Sequence, residues 1–493
     1  MILTNWNSQQ SKYPIYTLQT LTGRTIVVIS PHLAGPIQRA SKNLSFYSMI
    51  LEVTKRLVDF DEPAMQIIRW NMNGEHGEHG LMNESHDMVA RMLSPGPILN
   101  SMTSVQLDQF SQLVNDVVPP GQTLEIGLHE FVRRVFTVAN AYTIYGPRNP
   151  FAVHPDLVKA FWDYEAGMIP LLANVFPAIT ARKPYLARKA VNAGLVEFIE
   201  SGAYQDASPM IRERVDINLK YGLGTKMAGH AELILLFGIL GNAVPTTFWL
   251  LANLFSRPEL LQRVREETLT AVGTDENGQK VISVGKLKAA CPLLVSTYRE
   301  TLRSIANLAS VRLVLGTHEV GCPVSLTPFP NTYLLKKGAM IQIASGVIHG
   351  AESVWGKDAK EFVPERFISS TTPPLASSTQ LSDQKGNSEQ SRDRNEIRSA
   401  ERTASLLPKG VPAAAWRAFG GGSVICPGRH FAQSEILGFA ALVVLGFEIK
   451  DLSGGVIKQL VRDDARIPLS VMKPIEEVKV GIRRREGAWR VEK

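Results

Sequence analysis

Two long apolar stretches stand out along the chain, Ala228–Phe255 and Phe431–Phe447. Both are too long for ordinary strands and predict helices buried on most sides. Period-two alternation at Tyr13–Leu18 and Thr25–Ser30, joined across Thr22-Gly23, predicts a hairpin. Apolar residues at helical spacing predict helices at Pro31–Ala40, Leu51–Asp59, Gln122–Tyr145, Pro155–Tyr164, Glu259–Ala271 and Lys286–Ser304. Thr274–Lys280 reads as a turn, and strands at Val311–Glu319, Tyr333–Leu335 and Met340–Ala344 predict a second small sheet. The fold class is therefore mainly α with small β-sheets.

The interruptions carry as much information. Ala166–Pro177 is apolar, but prolines 170, 177 and 184 forbid one continuous helix, which leaves two readings open: buried core, and a lid that also touches a membrane surface. Within Ala228–Phe255, Gly238 and Gly241 flank Asn242, with Pro245 one turn on. Interior glycine and proline cost a helix about 1 and about 3 kcal/mol relative to alanine, so a functional bend is expected there. Glu75–Met92 is rich in His, Gly, Met and Asn and predicts a loop over a pocket mouth. Its His76, His79 and His86 do not make a metal site, because Gly77 and Gly80 break the helix such a site would use. From Ser369 to Ala415 the composition turns to Ser, Thr, Gln, Asp, Glu and Arg, predicting a disordered insertion over 371–405 inside one domain spanning 1–493.

The net charge of +7 on 493 residues is mild and does not indicate nucleic acid. The basic tail Arg483–Arg485 reads as solvated. Three distant cysteines, 291, 322 and 426, give neither a disulfide framework nor paired zinc ligands, which favours a reducing compartment. No apolar run near the start approaches the roughly 20 residues of a membrane helix, and Met1–Lys12 lacks the features of a signal peptide. No dinucleotide fingerprint is present either: Gly222-Leu-Gly224 has no strand before it.

The chemistry concentrates in Phe419-Gly-Gly-Gly-Ser-Val-Ile-Cys426-Pro-Gly-Arg-His-Phe-Ala432. Glycines 420, 421, 422 and 428 allow positive φ and close approach of a flat group. Cys426 falls just before a helix, where free N–H groups favour a thiolate suited to haem iron. An inert core cysteine is the plainer reading, but it explains neither the consecutive glycines nor the Cys-Pro-Gly step. Upstream, Glu300-Thr-Leu-Arg303 puts an acid and a base on one helix face, followed by Phe362-Val-Pro-Glu-Arg366-Phe.

These three motifs, in this order, resemble the signatures of the cytochrome P450 superfamily. The resemblance implies a mostly helical fold holding haem b, with Cys426 as the iron ligand and Phe419, Gly422, Gly428 and Arg429 around the cofactor. It implies that Glu300, Arg303 and Arg366 form a buried structural triad, and that Arg312 meets a haem propionate. Val424 stands where the family often has a basic residue, and no Trp-x-x-x-Arg occurs between Asn83 and Phe110. Family members from eukaryotes usually begin with a membrane anchor. Its lack points to an upstream exon not included here, and otherwise to a cytoplasmic form. The family's usual location is the cytosolic face of the endoplasmic reticulum.

In the central helix the family's acid and threonine are replaced by Gly241 and Asn242, counted back from Trp249. This Asn-x-x-Pro-x-x-Phe-Trp run looks like the branch containing cholesterol 7α-hydroxylase and prostacyclin synthase. An amide can donate a hydrogen bond at the oxygen-binding side but cannot ionise to relay a proton. Two chemistries therefore stay open: monooxygenation fed by NADPH-cytochrome P450 reductase, and isomerisation or dehydration of a peroxide without electrons. A non-catalytic haem carrier or sensor is a third reading. Ala243, Thr246, Ile305, Ala306, Leu308 and Ala309 are expected to line a pocket for a sterol, terpenoid or polyketide.

Overall fold

The computed structural model describes residues 13–20, 23–74, 76–77, 79–321, 332–368, 407–463, 471–485 and 489–493. The 371–405 insertion and Cys322 lie outside them. The helices that position the site are α1 (Pro31–Arg39), α2 (Tyr47–Val58), α3 (Leu81–Met92), α4 (Pro97–Val117), α5 (Leu128–Tyr145), α6 (Leu157–Ala166), α7 (Arg182–Glu200), α8 (Thr225–Phe255), α9 (Pro292–Ile305) and α10 (Arg429–Gly446).

The long apolar stretches are α8 and α10, and both run through the core. α8 is long and apolar enough to cross a membrane, yet 67% of its apolar window is buried inside the protein, so it is a core helix. It stays helical through Pro245, and the Thr246 and Thr247 hydroxyls donate to the Asn242 and Ala243 carbonyls at 2.7 and 2.9 Å. Phe110 of α4, Phe136 of α5 and Phe439 of α10 form a triangle of fully buried rings with centroids 4.7–5.1 Å apart. Burial of each ring stabilises the fold by about 1.5–3 kcal/mol.

Several expectations need correction. α3 is helical where a loop was predicted, because Leu81, Met88 and Met92 recur at helical spacing and all point inward. α4, a 21-residue helix, has no counterpart in the predicted elements: its Gln, Asn and Ser residues blur the apolar stripe. Gln122–Tyr145 divides into a strand, Thr123–Gly127, and α5. Lys286–Ser304 divides at Cys291-Pro292. The apolar Ala166–Pro177 stretch lies mostly in the short helix Met168–Ala173, and a second, Pro177–Thr180, starts at its end. Between them Asn174 and Phe176 sit at φ 53° and 44°.

The predicted second sheet is also different. Ala309–Val314 and Met340–Ala344 join the N-terminal hairpin and Leu44–Ser45 in one five-stranded sheet. Met340–Ala344 lies parallel to Gly23–Val28 and antiparallel to Ala309–Val314, with Ile341 opposite Arg312 and Ile343 opposite Ser310. The end of the predicted Val311–Glu319 strand is separate: His318–Gly321 pairs with Thr332–Leu335 in a two-stranded sheet. The basic tail is not simply solvated: Arg484 closes the end of α4, donating to the Asn115 side chain at 2.8 Å and to the Val118 carbonyl.

Candidate active site

The loop that presents Cys426 is shaped by its own hydrogen bonds. The Cys426 N–H donates to the Phe419 carbonyl at 2.9 Å, and Gly420 N–H donates to the Arg417 carbonyl at 3.1 Å. Gly420 and Gly422 take φ of 77° and 70°, which other residues adopt at a cost. Gly421 and Gly422 meet α1 rather than the open side. A Cβ on Gly421 would lie 2.6 Å from the Gln38 side chain, and one on Gly422 would lie 2.7 Å from the Gln38 carbonyl. The absent side chain of Gly422 is explained by packing against α1 as well as by its positive φ. Gly428 is different: a Cβ there would stand 3.8 Å from the Cys426 sulfur, in ordinary contact. Phe419 is half-buried against the main core.

Cys426 ends just before α10, as expected. Burial nevertheless pushes its thiol above the ordinary value, opposed by the N–H groups of Gly428 and Arg429 and by the Arg429 charge. The helix terminus thus favours the thiolate, as expected, while desolvation opposes it. A bound cation supplies the missing stabilisation where one is present. Arg429 donates to the Cys426 carbonyl at 3.1 Å. The guanidinium thus ties the start of α10 to the loop.

Arg312 is buried on the five-stranded sheet, donates to the Val311 carbonyl at 2.7 Å and stacks on Phe46 with 5.3 Å to the ring centroid. A second arginine joins it. Arg417, buried where the Cys426 loop begins, donates from its main chain to His349 Nε2 at 3.0 Å and from Nη2 to Ser310 Oγ at 2.9 Å. Its Nη1 has no hydrogen-bond partner among the described residues. Burial and the Arg312 charge pull the Arg417 pKa down to about 10. Among the described residues, no carboxylate is a hydrogen-bond partner of either guanidinium. Two interior cations that repel each other, one with an unused donor, fit an anionic group with two carboxylates. The motif reading missed Arg417. Its one signal is its position two residues before Phe419.

Glu300, Arg303 and Arg366 do meet. Arg303 grips the Glu300 carboxylate through Nε and Nη2, both at 2.7 Å, and Arg366 Nε lies 3.1 and 3.2 Å from its two oxygens. Glu300 has 0% exposure. The remaining donors of Arg303 reach the His349, Ala359 and Glu361 carbonyls, and those of Arg366 reach Trp355 and Asp358. The chain between 349 and 366 is thereby pinned to α9 at several points.

The central helix has one open face. In the middle of α8, Gly238 and Asn242 are exposed and Ile234, Leu235, Phe237 and Ile239 are half-exposed, one turn after another. Nothing lies within 4 Å of the position a Cβ on Gly238 would take. Asn242 Oδ1 accepts from the Val471 N–H at 3.1 Å, which leaves Nδ2 as the free end of the amide. Gly241 has no side chain to act with, and a Cβ there would lie 2.6 Å from the Phe237 ring. Its expected catalytic position is thus filled by an aromatic neighbour. Of the expected pocket residues, Leu308 is 45% exposed and Ala309 half-exposed, whereas Ala243, Thr246, Ile305 and Ala306 are buried in packing. Gly238 belongs with the open set instead.

The cytochrome P450 family model matches residues 233–480. The chain is 27% identical over 479 residues to the cytochrome P450 monooxygenase nodJ of Hypoxylon pulicicidum, covering 96% of this chain and 83% of the relative. It is likewise 27% identical over 445 residues to a cytochrome P450 monooxygenase of Gibberella zeae, covering 90% and 76%. A cholesterol 7-alpha-monooxygenase of Cricetulus griseus matches at 23% over 366 residues, covering 71% and 65%. With half the chain matched by the family model, and with the motifs around Glu300, Arg366 and Cys426 in order, this protein belongs to the cytochrome P450 family of haem-thiolate monooxygenases.

Proposed function

We propose that this enzyme hydroxylates a hydrophobic small molecule of sterol, terpenoid or polyketide type, taking electrons from NADPH-cytochrome P450 reductase. Haem b, held by Cys426, would supply the oxygen and redox chemistry that no side chain here provides. The observation that carries the reading is the interior pair Arg312 and Arg417, with no acid bonded to either among the described residues, on the sheet and loop that flank Cys426. These arginines would take the two propionates, and Phe419 and Gly428 would lie against the macrocycle. The Gly428 and Arg429 N–H groups would hold the sulfur. Glu300, Arg303 and Arg366 act as scaffold, with no part in the chemistry.

On the other side, Gly238, Ile239, Leu308 and Ala309 would shape an apolar pocket, and Asn242 Nδ2 would donate to whatever occupies the oxygen side. Gly241 carries no acid, so protons would have to reach that side through ordered water. The same fact favours a second reading, redox-independent isomerisation or dehydration of a peroxide, which needs no proton relay. The exposed Phe176 and Ile179, at 76% and 79%, with Val175 beside them, suit a shallow contact with a membrane surface on the cytosolic face of the endoplasmic reticulum.

The test is turnover by the purified haem-loaded protein with reductase. Substrate-dependent consumption of NADPH and dioxygen supports hydroxylation, and conversion of a hydroperoxide without either supports isomerisation. Retention of the thiolate-type Soret shift of the reduced carbon monoxide complex in Cys426→Ser would remove the ligand assignment. Comparing metabolites of cells with and without the gene identifies the substrate class.

A further inference from the structure

Three consecutive residues, Val471, Met472 and Lys473, are tied to three separate parts of the site. The Val471 N–H donates to Asn242 Oδ1 on α8 at 3.1 Å. Met472 donates to the Ile305 carbonyl at 2.9 Å and accepts from Trp249 Nε1 at 2.8 Å. Lys473 makes a salt bridge to Glu165 on α6, the helix that leads into the apolar Met168–Phe176 segment. Glu165 and Lys473 are 5% and 9% exposed, and Glu165 Oε2 has no hydrogen-bond partner among the described residues.

A buried ion pair is an expensive way to join two segments, since desolvating both charges offsets most of their attraction and apolar residues often do as well. What an ion pair adds is a fixed geometry. Here the geometry it fixes is that of a strap whose first residue decides which way the Asn242 amide points. A backbone N–H can only be met by the carbonyl end of that amide, so the strap takes Oδ1 and leaves Nδ2 as the end turned away from it.

We propose that Glu165 and Lys473 are positioning residues that act through the Val471–Lys473 strap to hold the Asn242 amide with its donor toward the oxygen side. The pair would thereby link α6, which leads into the apolar Met168–Phe176 segment, to the orientation of the oxygen-site amide. This rests on the oxygen-side role of Asn242, and the two can fail separately.

The test is the infrared C–O stretch of the reduced, haem-loaded protein under carbon monoxide, a probe that reports a donor aimed at the bound diatomic without requiring the substrate. Asn242→Ala should move the band to higher frequency. Lys473→Met and Glu165→Gln should shift or split it in the same direction, with no further change when either is combined with Asn242→Ala. Because a single change strands a buried charge, the paired replacement Glu165→Leu with Lys473→Met provides a folded variant without the latch, and it should show the same shift. A band unmoved in that paired variant, while Asn242→Ala moves it, overturns the latch. A latch-dependent shift that persists without Asn242 also overturns it. No effect of Asn242→Ala removes the oxygen-side reading and the latch with it.

Discussion

Arg417 donates from Nη2 to Ser310 Oγ at 2.9 Å, on the same strand and the same face as Arg312 two residues later. The two guanidiniums are thus brought together by the pairing of a strand with the loop before Cys426. Each lowers the comfort of the other, and the Arg417 pKa falls to about 10 because it is buried and because of that second charge.

This arrangement has opposite consequences for the two states of the protein. Arg417→Gln removes one of two repelling charges, so the haem-free protein should unfold at an equal or higher temperature. The same change removes a charge-assisted partner worth about 1.5–3 kcal/mol, so haem should be lost roughly 10- to 100-fold more readily. Transfer of haem to an acceptor protein measures the second effect and calorimetry the first. If both fall together, Arg417 is a structural residue and not a carboxylate partner.

The loop around Cys426 and the Glu300, Arg303 and Arg366 group were legible in the sequence because each is a short run of unusual residue types at a set spacing. Arg417 was not, since one arginine between Trp416 and Ala418 carries no local pattern and acquires meaning only when the sheet places Ser310 against it. The Val471 partner of Asn242 is separated from it by 229 residues, a distance no local spacing rule spans. α4 was hidden for a different reason. Its inward face includes Thr103, Gln106 and Ser111, whose hydroxyls and amide nitrogen donate inside to Leu99, Leu107, Asn140 and Glu435, so the apolar period is diluted.

Removing one member of the triad leaves the others charged and dry. Arg303→Met strands the Glu300 carboxylate with only Arg366 and the Val363 N–H, the latter at 2.9 Å. The expected loss is about 3–5 kcal/mol, and much of the chain should accumulate without haem. Arg303→Lys should recover little, because an ammonium cannot span both carboxylate oxygens while reaching three carbonyls. Thermal unfolding and the ratio of Soret to protein absorbance check this.

The two central glycines should respond differently to the same methyl group. Gly238→Ala meets nothing within 4 Å and removes an interior glycine, so stability should rise by about 1 kcal/mol. Gly241→Ala places its Cβ 2.6 Å from the Phe237 ring, and the displaced ring should cost more than the helix gains. Gly238→Phe should fill the open face and weaken the spectral response to apolar ligands, leaving the carbon monoxide spectrum thiolate-like. Unfolding midpoints and ligand titrations separate these outcomes.

Glu435 of α10 is 1% exposed and holds Gln106 and Asn140 through one oxygen, at 2.6 and 3.2 Å, with the Tyr298 phenol also within its field. Burial raises its pKa from 4.5 to about 8, against the pull of the two amides. The folded protein therefore keeps a proton that the unfolded chain releases above pH 4.5. Its contribution is fully present below that value, declines as pH rises, and is gone above about 8, at a slope of about 1.4 kcal/mol per pH unit. Glu435→Gln keeps the acceptor oxygen that both amides use and has no proton to lose. Unfolding followed across pH 5 to 8 should then show a flatter profile in the variant, and an unchanged slope would mean that Glu435 is already ionised inside the fold.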